Sequence, residues 1–350
     1  MYALLVSGQQ PSHAYARAGV DLDAREALVS RFAELVKTAR RPEVIADVGP
    51  FAGLFKLGAY REPVLVASTD SVGTKIKLAA LAGRFDSPGH DIVNHCVNDI
   101  LPSGAEPLFF LDYIGNCGLP DQAKADLVRG CVEACHAAGC SLLGGETADM
   151  PGTYREGDLD LVGFIVGVVE RAALIDGSAI REGDVLLGLH SNGLHTNGYT
   201  LVRKLFRIGI DEDPAAERER MNQNYPGLEG TLGEALLVPH RSYLDVVRPA
   251  LPLLRGIAHI TGGGIEGNVP RVLPAGLAAR IDRSAWRVPP IFRIIQEEGG
   301  IDDAEMYRAF NMGLGMVLAV APEDAGEVQS RIPEAFVCGQ VVAGEGVVWE

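Results

Sequence analysis

The stretch from Val64 to Leu78, Val-Leu-Val-Ala-Ser-Thr-Asp-Ser-Val-Gly-Thr-Lys-Ile-Lys-Leu, constrains this chain more than any other. Val64 to Ala67 is a short aliphatic run of the kind that forms a buried strand, and at Ser68, Thr69 and Asp70 side-chain oxygens replace it. A carboxylate is thereby set at a strand end. Gly73 admits a turn and a close backbone approach, while Thr74 and Lys75 add a hydroxyl and a point positive charge within the same few residues. These groups suit a nucleotide phosphate and its metal ion. The sequence has no Gly-x-x-x-x-Gly-Lys-Ser/Thr, and no Gly-x-Gly-x-x-Gly opens a helix after a strand, so the two commonest nucleotide folds are set aside.

The totals bound the rest. With 350 residues, 47% of them hydrophobic, the chain has enough apolar material for two domains with substantial cores. A formal charge of −15 argues against broad attraction to nucleic acid or an anionic membrane and leaves room for a local phosphate pocket, so small-molecule partners are expected. No apolar run is long enough to span a bilayer, and the N-terminus does not read as a secretory leader, so a cytoplasmic location is expected. The six cysteines are expected to be reduced. Cys131, Cys135, His136 and Cys140 raise the question of zinc, but they lack a Cys-x-x-Cys pair and fall on the apolar stripe of a helix, so they read as core thiols.

In chain order, the first 22 residues show no period and read as an arm that orders over a ligand or partner. Residues 24–38 have helical spacing. Over 91–101, Ile92, Val93, Cys96, Val97 and Ile100 form one helical stripe, opposite Asp91, Asn94, His95, Asn98 and Asp99. That polar stripe carries no Lys or Glu, and its short carboxylates, amides and imidazole suit a face turned to a ligand or metal. A strand over 106–114 and a helix over 124–138 capped by Gly139 precede a second apolar strand that ends in glycines and acids, Gly144-Gly-Glu-Thr-Ala-Asp149. Its glycines offer backbone N–H groups to a phosphate, and Glu146 or Asp149 offers hard oxygen to magnesium. Residues 159–169 read as a strand buried on both faces.

Turn residues over 170–183 place the domain division at 1–172 and 173–350. The loop Ser191-Asn-Gly-Leu-His-Thr-Asn-Gly198 runs from a strand end into a helix, and His195 in it suits either proton transfer or tying down the loop. Residues 212–230 read as an exposed connection. Thr261-Gly-Gly-Gly264 is a second loop rich in backbone donors. Strands near 277–281, 313–320 and 336–342 then alternate with helices near 291–298, 303–310 and 323–331, an α/β pattern.

These motifs, together with Val97-Asn-Asp-Ile100, Gly104-Ala-Glu-Pro-Leu-Phe-Phe-Leu-Asp-Tyr113 and Met306-Tyr-Arg-Ala-Phe-Asn-Met-Gly313, resemble the phosphoribosylformylglycinamidine cyclo-ligase family in order from about Tyr15 to the C-terminus. The resemblance implies an α/β (α+β) two-domain fold, with the N-terminal sheets of a homodimer joined into a barrel and a C-terminal mixed sheet with helices. It implies ATP- and Mg2+-dependent closure of an imidazole ring in purine biosynthesis. By the same resemblance Asp70, Asp99, Glu146 and Asp149 are magnesium ligands, and Thr69, Gly73, Thr74, Lys75, Asn98, Gly144, Gly145 and Glu146 bind ATP. His195, Asp70 and Lys75 are catalytic. Ser191, Asn192, Gly193, His195, Asn197, Thr261, Gly262, Gly263 and Gly264 hold the substrate. Related ATP-using enzymes such as thiamine monophosphate kinase share the acid-rich site, but the histidine loop and the triple glycine favour the cyclo-ligase. One departure is Ala33, where relatives carry a lysine, leaving Arg17 or Arg31 to supply a charge.

Overall fold

The computed structural model describes residues 22–45, 52–210 and 213–350. The arm before Leu22, with Tyr15 and Arg17, lies outside the described residues.

Helix α1 (Leu22–Lys37) forms where the spacing predicts. Strand β1 (Pro63–Ser71) is longer than its apolar run, because pairing with β4 (Leu159–Glu170) continues to Asp70 opposite Gly163 and Ser71 opposite Val162. Asp70 therefore lies within a strand rather than beyond its end. The pleat sends Ser68 and Asp70 inward and Thr69 outward, where its Oγ1 donates to the Gly163 carbonyl. Strands β2 (Glu106–Asn116) and β3 (Ser141–Asp149) complete a sheet of order β1-β4-β2-β3, in which only the β2–β3 pair is parallel. β3 likewise runs on through the glycines and acids expected to end it.

Helices α2 (Lys75–Ala82), α3 (Asp86–Ile100) and α4 (Asp121–Ala137) occupy the connections of this sheet, and α3 lies against β1 and β4. α3 and α4 cross closely at two glycines: a Cβ on Gly89 would meet the Leu127 carbonyl at 2.4 Å, and one on Gly130 the Asp86 carbonyl at 2.1 Å. The apolar stripe of α4 is core as expected, with Cys131 and Cys135 buried, and all six cysteines are free. β4 is not buried on both faces. Its residues alternate over most of its length, Phe164 is 39% exposed, and Leu65 further along the same face of the sheet, on β1, is 62% exposed.

The second sheet has six strands in the order β10-β7-β9-β5-β8-β6. They are β5 (Val185–His190), β6 (Leu254–His259), β7 (Leu277–Ile281), β8 (Leu314–Val320), β9 (Phe336–Ala343) and β10 (Gly346–Trp349), and β10 and β7 form its one parallel pair. The sheet is mixed, as the family resemblance implies. β10 has no sequence signal because four residues after a glycine are too few for a period. Helix α5 (Tyr199–Phe206) follows the histidine loop. The supposed exposed connection contains helix α6 (Pro214–Met221), with Asp213 as N-cap and proline at the first turn. Glu217 inside it is buried and accepts the N–H groups of Gly209 and Ile210, which no periodicity reveals.

The hydrophobic cores do not stop at the division between sheets. Leu78 and Ala79 of α2 are buried with the residues of the second sheet, while Tyr243, Leu244 and Val247 join the cluster around α3. This packed seam positions the site.

Candidate active site

Lys75 is wholly buried at the seam, and its ammonium makes three short contacts: Asp91 Oδ1 at 2.8 Å, the Val238 carbonyl at 2.7 Å and the His195 carbonyl at 3.1 Å. Asp91, also buried, accepts in addition the His240 N–H at 2.7 Å. Burial pulls the lysine below its ordinary range and pushes the carboxyl above its own, and their pairing opposes both shifts. One N-terminal ion pair thus fixes the backbone of two C-terminal segments. Here the structure corrects the sequence reading: the Lys75 ammonium is directed at backbone and Asp91, not at an open phosphate site. Asn98 is corrected likewise. Its amide donates to the Arg241 carbonyl at 2.8 Å and approaches His240 Nε2 at 3.2 Å, and its oxygen accepts the Tyr243 N–H at 2.9 Å, so it clamps the 240–243 segment.

Around this clamp lie four imidazoles. His95 on α3 bridges Asp70 Oδ2 at 3.1 Å and Asp99 Oδ2 at 3.8 Å through Nε2, and its Nδ1 meets Thr196 Oγ1 at 2.7 Å. Asp99 also receives the Ser68 hydroxyl at 3.0 Å and contacts His259 Nδ1 at 2.9 Å. Burial lowers His95, but hydrogen bonding to Asp70 and the charge of Asp99 outweigh it, so its net shift is upward. Burial raises Asp70 and Asp99, and the same imidazoles bring both below the usual carboxylate range. Across the seam, burial and neighbouring cations push His195 and His240 well below the ordinary histidine value. His195 sits at φ 61° with neither ring nitrogen hydrogen-bonded, stacked on His240 at 4.0 Å.

Gly144, Gly145, Glu146 and Asp149 are at the opposite sheet edge. They line a cavity of about 380 Å³ whose other walls include Phe32 and Val36 of α1, Asp112 and Lys124. Lys124 Nζ contacts Asp149 at 3.0 Å, so that carboxylate is already paired, and Glu146 is exposed. Burial raises the Asp112 carboxyl to about 7. Arg31, a candidate substitute for the missing lysine, donates to Gln122 at 2.8 Å. Gly73 and Thr74 lead into α2 with open space over Gly73.

The two C-terminal loops do come together. Asn197 Oδ1 would lie 3.2 Å from a Cβ on Gly262. Asn311 supports the first loop, accepting from Ser191 Oγ at 2.8 Å and donating to the Gly193 carbonyl at 2.9 Å. Asn192 donates to the Pro239 carbonyl at 2.8 Å. Asn268 supports the second loop, donating to the Thr261, Gly262 and Gly264 carbonyls. Gly263 and Gly264 both adopt positive φ, and a Cβ on Gly264 would meet the Tyr307 carbonyl at 2.0 Å.

His95 was legible on the polar stripe of α3, and His259, two positions before Thr261-Gly-Gly-Gly264, carried a usable signal. Asn311 lies within the Met306–Gly313 motif without a role assigned to it, while His240 and Asn268 are not singled out, because tertiary contacts bring them in.

Two family models match the chain: "AIR synthase related protein, N-terminal domain" over residues 52–169 and "AIR synthase related protein, C-terminal domain" over residues 181–350. A Desulfitobacterium hafniense (strain DSM 10664 / DCB-2) protein named phosphoribosylformylglycinamidine cyclo-ligase is 50% identical over 344 residues, 96% of this chain and 98% of the relative. A protein of the same name from Citrifermentans bemidjiense is 49% identical, covering 93% and 94%. Among solved structures, hydrogenase maturation protein HypE in complex with ATP gives a TM-score of 0.64 at 16% identity, covering 93% of this chain and 91% of that one. Thiamine-monophosphate kinase from Stenotrophomonas maltophilia K279a gives 0.62 at 17%, covering 93% and 96%. At these identities the two structures show a shared fold.

Proposed function

The chain belongs to the phosphoribosylformylglycinamidine cyclo-ligase (AIR synthase) family, and on that premise we propose which of its residues carry the reaction. It is an ATP-dependent ligase of purine biosynthesis: formylglycinamidine ribonucleotide and ATP give aminoimidazole ribonucleotide, ADP and phosphate, with a new carbon–nitrogen bond.

In the proposed sequence the γ-phosphoryl group passes to the formyl oxygen, the amidine nitrogen attacks the formyl carbon, and phosphate leaves with that oxygen. The protein's task is then alignment and charge neutralisation. The observation that carries this reading is the meeting, around His259, of the Asp99 carboxylate at 2.9 Å with the ring of His195, whose nitrogens have no partner. Neither His195 ring nitrogen is engaged, so the neutral ring has a lone pair to take the proton of the attacking nitrogen, although burial lowers its basicity. Lys75 acts on it through the backbone as a positioning residue.

Asp70 and Asp99, drawn together by His95, have the hard oxygens that fit Mg2+, and Glu146 is the exposed acid on the nucleotide side. Bound Mg2+ would neutralise phosphate charge. Asp149 is assigned to orienting Lys124 instead. The nucleoside is assigned to the cavity under α1 at Gly144 and Gly145, and the ATP phosphates to the Gly73–Thr74 turn. Ser191, Asn192, Gly193, Asn197 and Thr261 to Gly264 are assigned to the substrate's phosphate.

We further propose that the working unit is a cytoplasmic homodimer with divisions at 1–172 and 173–350. The outer face of the first sheet supports the dimer, since it leaves Leu65 and Phe164 in solvent. Among the described residues no helix is long and apolar enough to cross a membrane.

The test is a coupled assay with formylglycinamidine ribonucleotide, ATP and Mg2+, following ADP and the diazotisable aminoimidazole together. Equal yields, each requiring both substrates, support the reading, and ATP binding without aminoimidazole refutes it. Asp99→Asn is expected to weaken Mg2+-dependent ATP binding about tenfold or more. An unchanged nucleotide titration would remove Asp99 from the metal site.

A further inference from the structure

His195, His240 and His259 stand beside the acid site without belonging to its oxygen ligands. Each comes from a different segment: the loop after β5, the stretch after Val238, and the end of β6. All three are at least nine-tenths buried, at 2%, 1% and 6% exposure, and one nitrogen from each lies within 4.8 Å of the others. His240 Nε2 and His259 Nε2 face one another at 3.4 Å. Two nitrogens bound about 2.0–2.1 Å from a tetrahedral zinc ion are separated by about 3.3–3.4 Å, so this pair already spans one edge of such a site.

The surroundings fit as well. His259 turns its other nitrogen, Nδ1, to the Asp99 carboxylate at 2.9 Å, the arrangement that orients a metal-binding imidazole from outside. His240 Nδ1 is 3.4 Å from the Thr196 hydroxyl, which leaves Nε2 directed at His259. The Asn98 amide also approaches His240 Nε2, at 3.2 Å, but its bond to the Arg241 carbonyl at 2.8 Å holds it in place without that contact. His195 is the member with both nitrogens buried and unpartnered. Its ring lies 14° from parallel to that of His240, so in-plane lone pairs on these two rings cannot converge until one turns. With no hydrogen bond to hold it, His195 is the ring that turns.

We propose that His195, His240 and His259 form a site for a borderline divalent transition metal of the zinc class, distinct from the carboxylate Mg2+ site, and that loading it rotates His195 into the coordination sphere. Three imidazoles favour zinc or cobalt over magnesium, which prefers oxygen. Loading takes the His195 ring away from the ring closure and is expected to stop turnover. That last consequence rests on the role given to His195 above, whereas the metal site itself does not.

The test uses untagged, chelator-stripped full-length protein titrated with Co2+. The expected result is one equivalent with the intense visible bands of tetrahedral nitrogen ligation, displaced by Zn2+ and not by millimolar Mg2+. His240→Asn and His259→Asn are each expected to weaken binding by at least about tenfold, with His90→Asn as an unaffected surface control. Should those variants fail to fold, the wild-type spectrum and a Zn2+-dependent rise in its melting temperature decide the matter. A weak octahedral spectrum, or a tetrahedral one that survives in both folded variants, overturns the site. If the spectrum is as expected and needs His195, while loaded protein keeps full turnover, the metal site stands and the catalytic assignment of His195 falls.

Discussion

The two edges of the N-terminal sheet carry the same sequence pattern, an aliphatic run followed by glycines, hydroxyls and acids, and the fold uses them differently. At the β1 edge, Asp70 faces α3 and the second domain, where His95 and Asp99 enclose it and Lys75 is wholly buried. At the β3 edge, Glu146 and Asp149 border a cavity roofed by α1, and the buried Lys124 pairs with two acids that solvent still reaches, Asp121 and Asp149. The register Asp70, Gly163, Asp112, Gly145 runs straight across the sheet between them. What distinguishes the edges is what packs against each: a whole domain on one side, a single helix on the other. The β1 edge is built for fixed geometry and the β3 edge for admitting a ligand.

Equivalent lysine substitutions give the sharpest contrast. Lys75→Met is expected to cost about 3–5 kcal/mol in denaturant unfolding, because it strands Asp91 and two carbonyls in the seam. Lys124→Met should cost less, about 1–2 kcal/mol, because the acids it leaves, Asp149 and Asp121, are themselves reached by solvent. Equal losses would erase the distinction between the edges. For the chemistry, His195→Asn suits the φ of 61° and is expected to lower turnover about 100-fold or more while shifting stability by less than about 1 kcal/mol. Wild-type turnover in that variant would remove His195 from the reaction.

Neighbouring glycines at the β3 edge test the cavity. A Cβ on Gly145 would lie 2.2 Å from Asp112 Oδ1, whereas one on Gly144 meets nothing nearer than Leu111 at 3.8 Å. Gly145→Ala should therefore cost about 1–3 kcal/mol of stability and weaken ATP binding in equilibrium dialysis, with Gly144→Ala close to neutral. The last test is a pH effect. The Asp112 carboxyl, raised to about 7 by burial, binds its proton more tightly in the folded chain than unfolded. Stability from this group is complete below about pH 4 and falls as pH rises toward 7, by at most about 1.4 kcal/mol per pH unit. Lys124, Asp121, Glu146 and Asp149 line the same cavity and bear on this slope. Asp112→Asn should flatten it, and an unchanged slope in urea titrations across that range would assign it elsewhere.

The sequence by itself determined most element positions, the mixed character of the second sheet and the family, since these rest on local periodicity and on motifs read in order. Helix α3 was legible down to which face carries Asp99 and His95. Tertiary structure decided where the motifs point. Thr69 and Asp70 are neighbours in sequence, yet the pleat puts them on opposite faces. Lys75 reads as a phosphate ligand until Asp91 and two carbonyls from the other domain are seen to surround it. His240 lies 142 positions beyond Asn98, and only the packed seam brings them together at 3.2 Å. Periodicity reports which face of an element is buried, because burial repeats along the chain. It cannot report which distant segment covers that face, and in this protein that segment decides the roles of the charged groups.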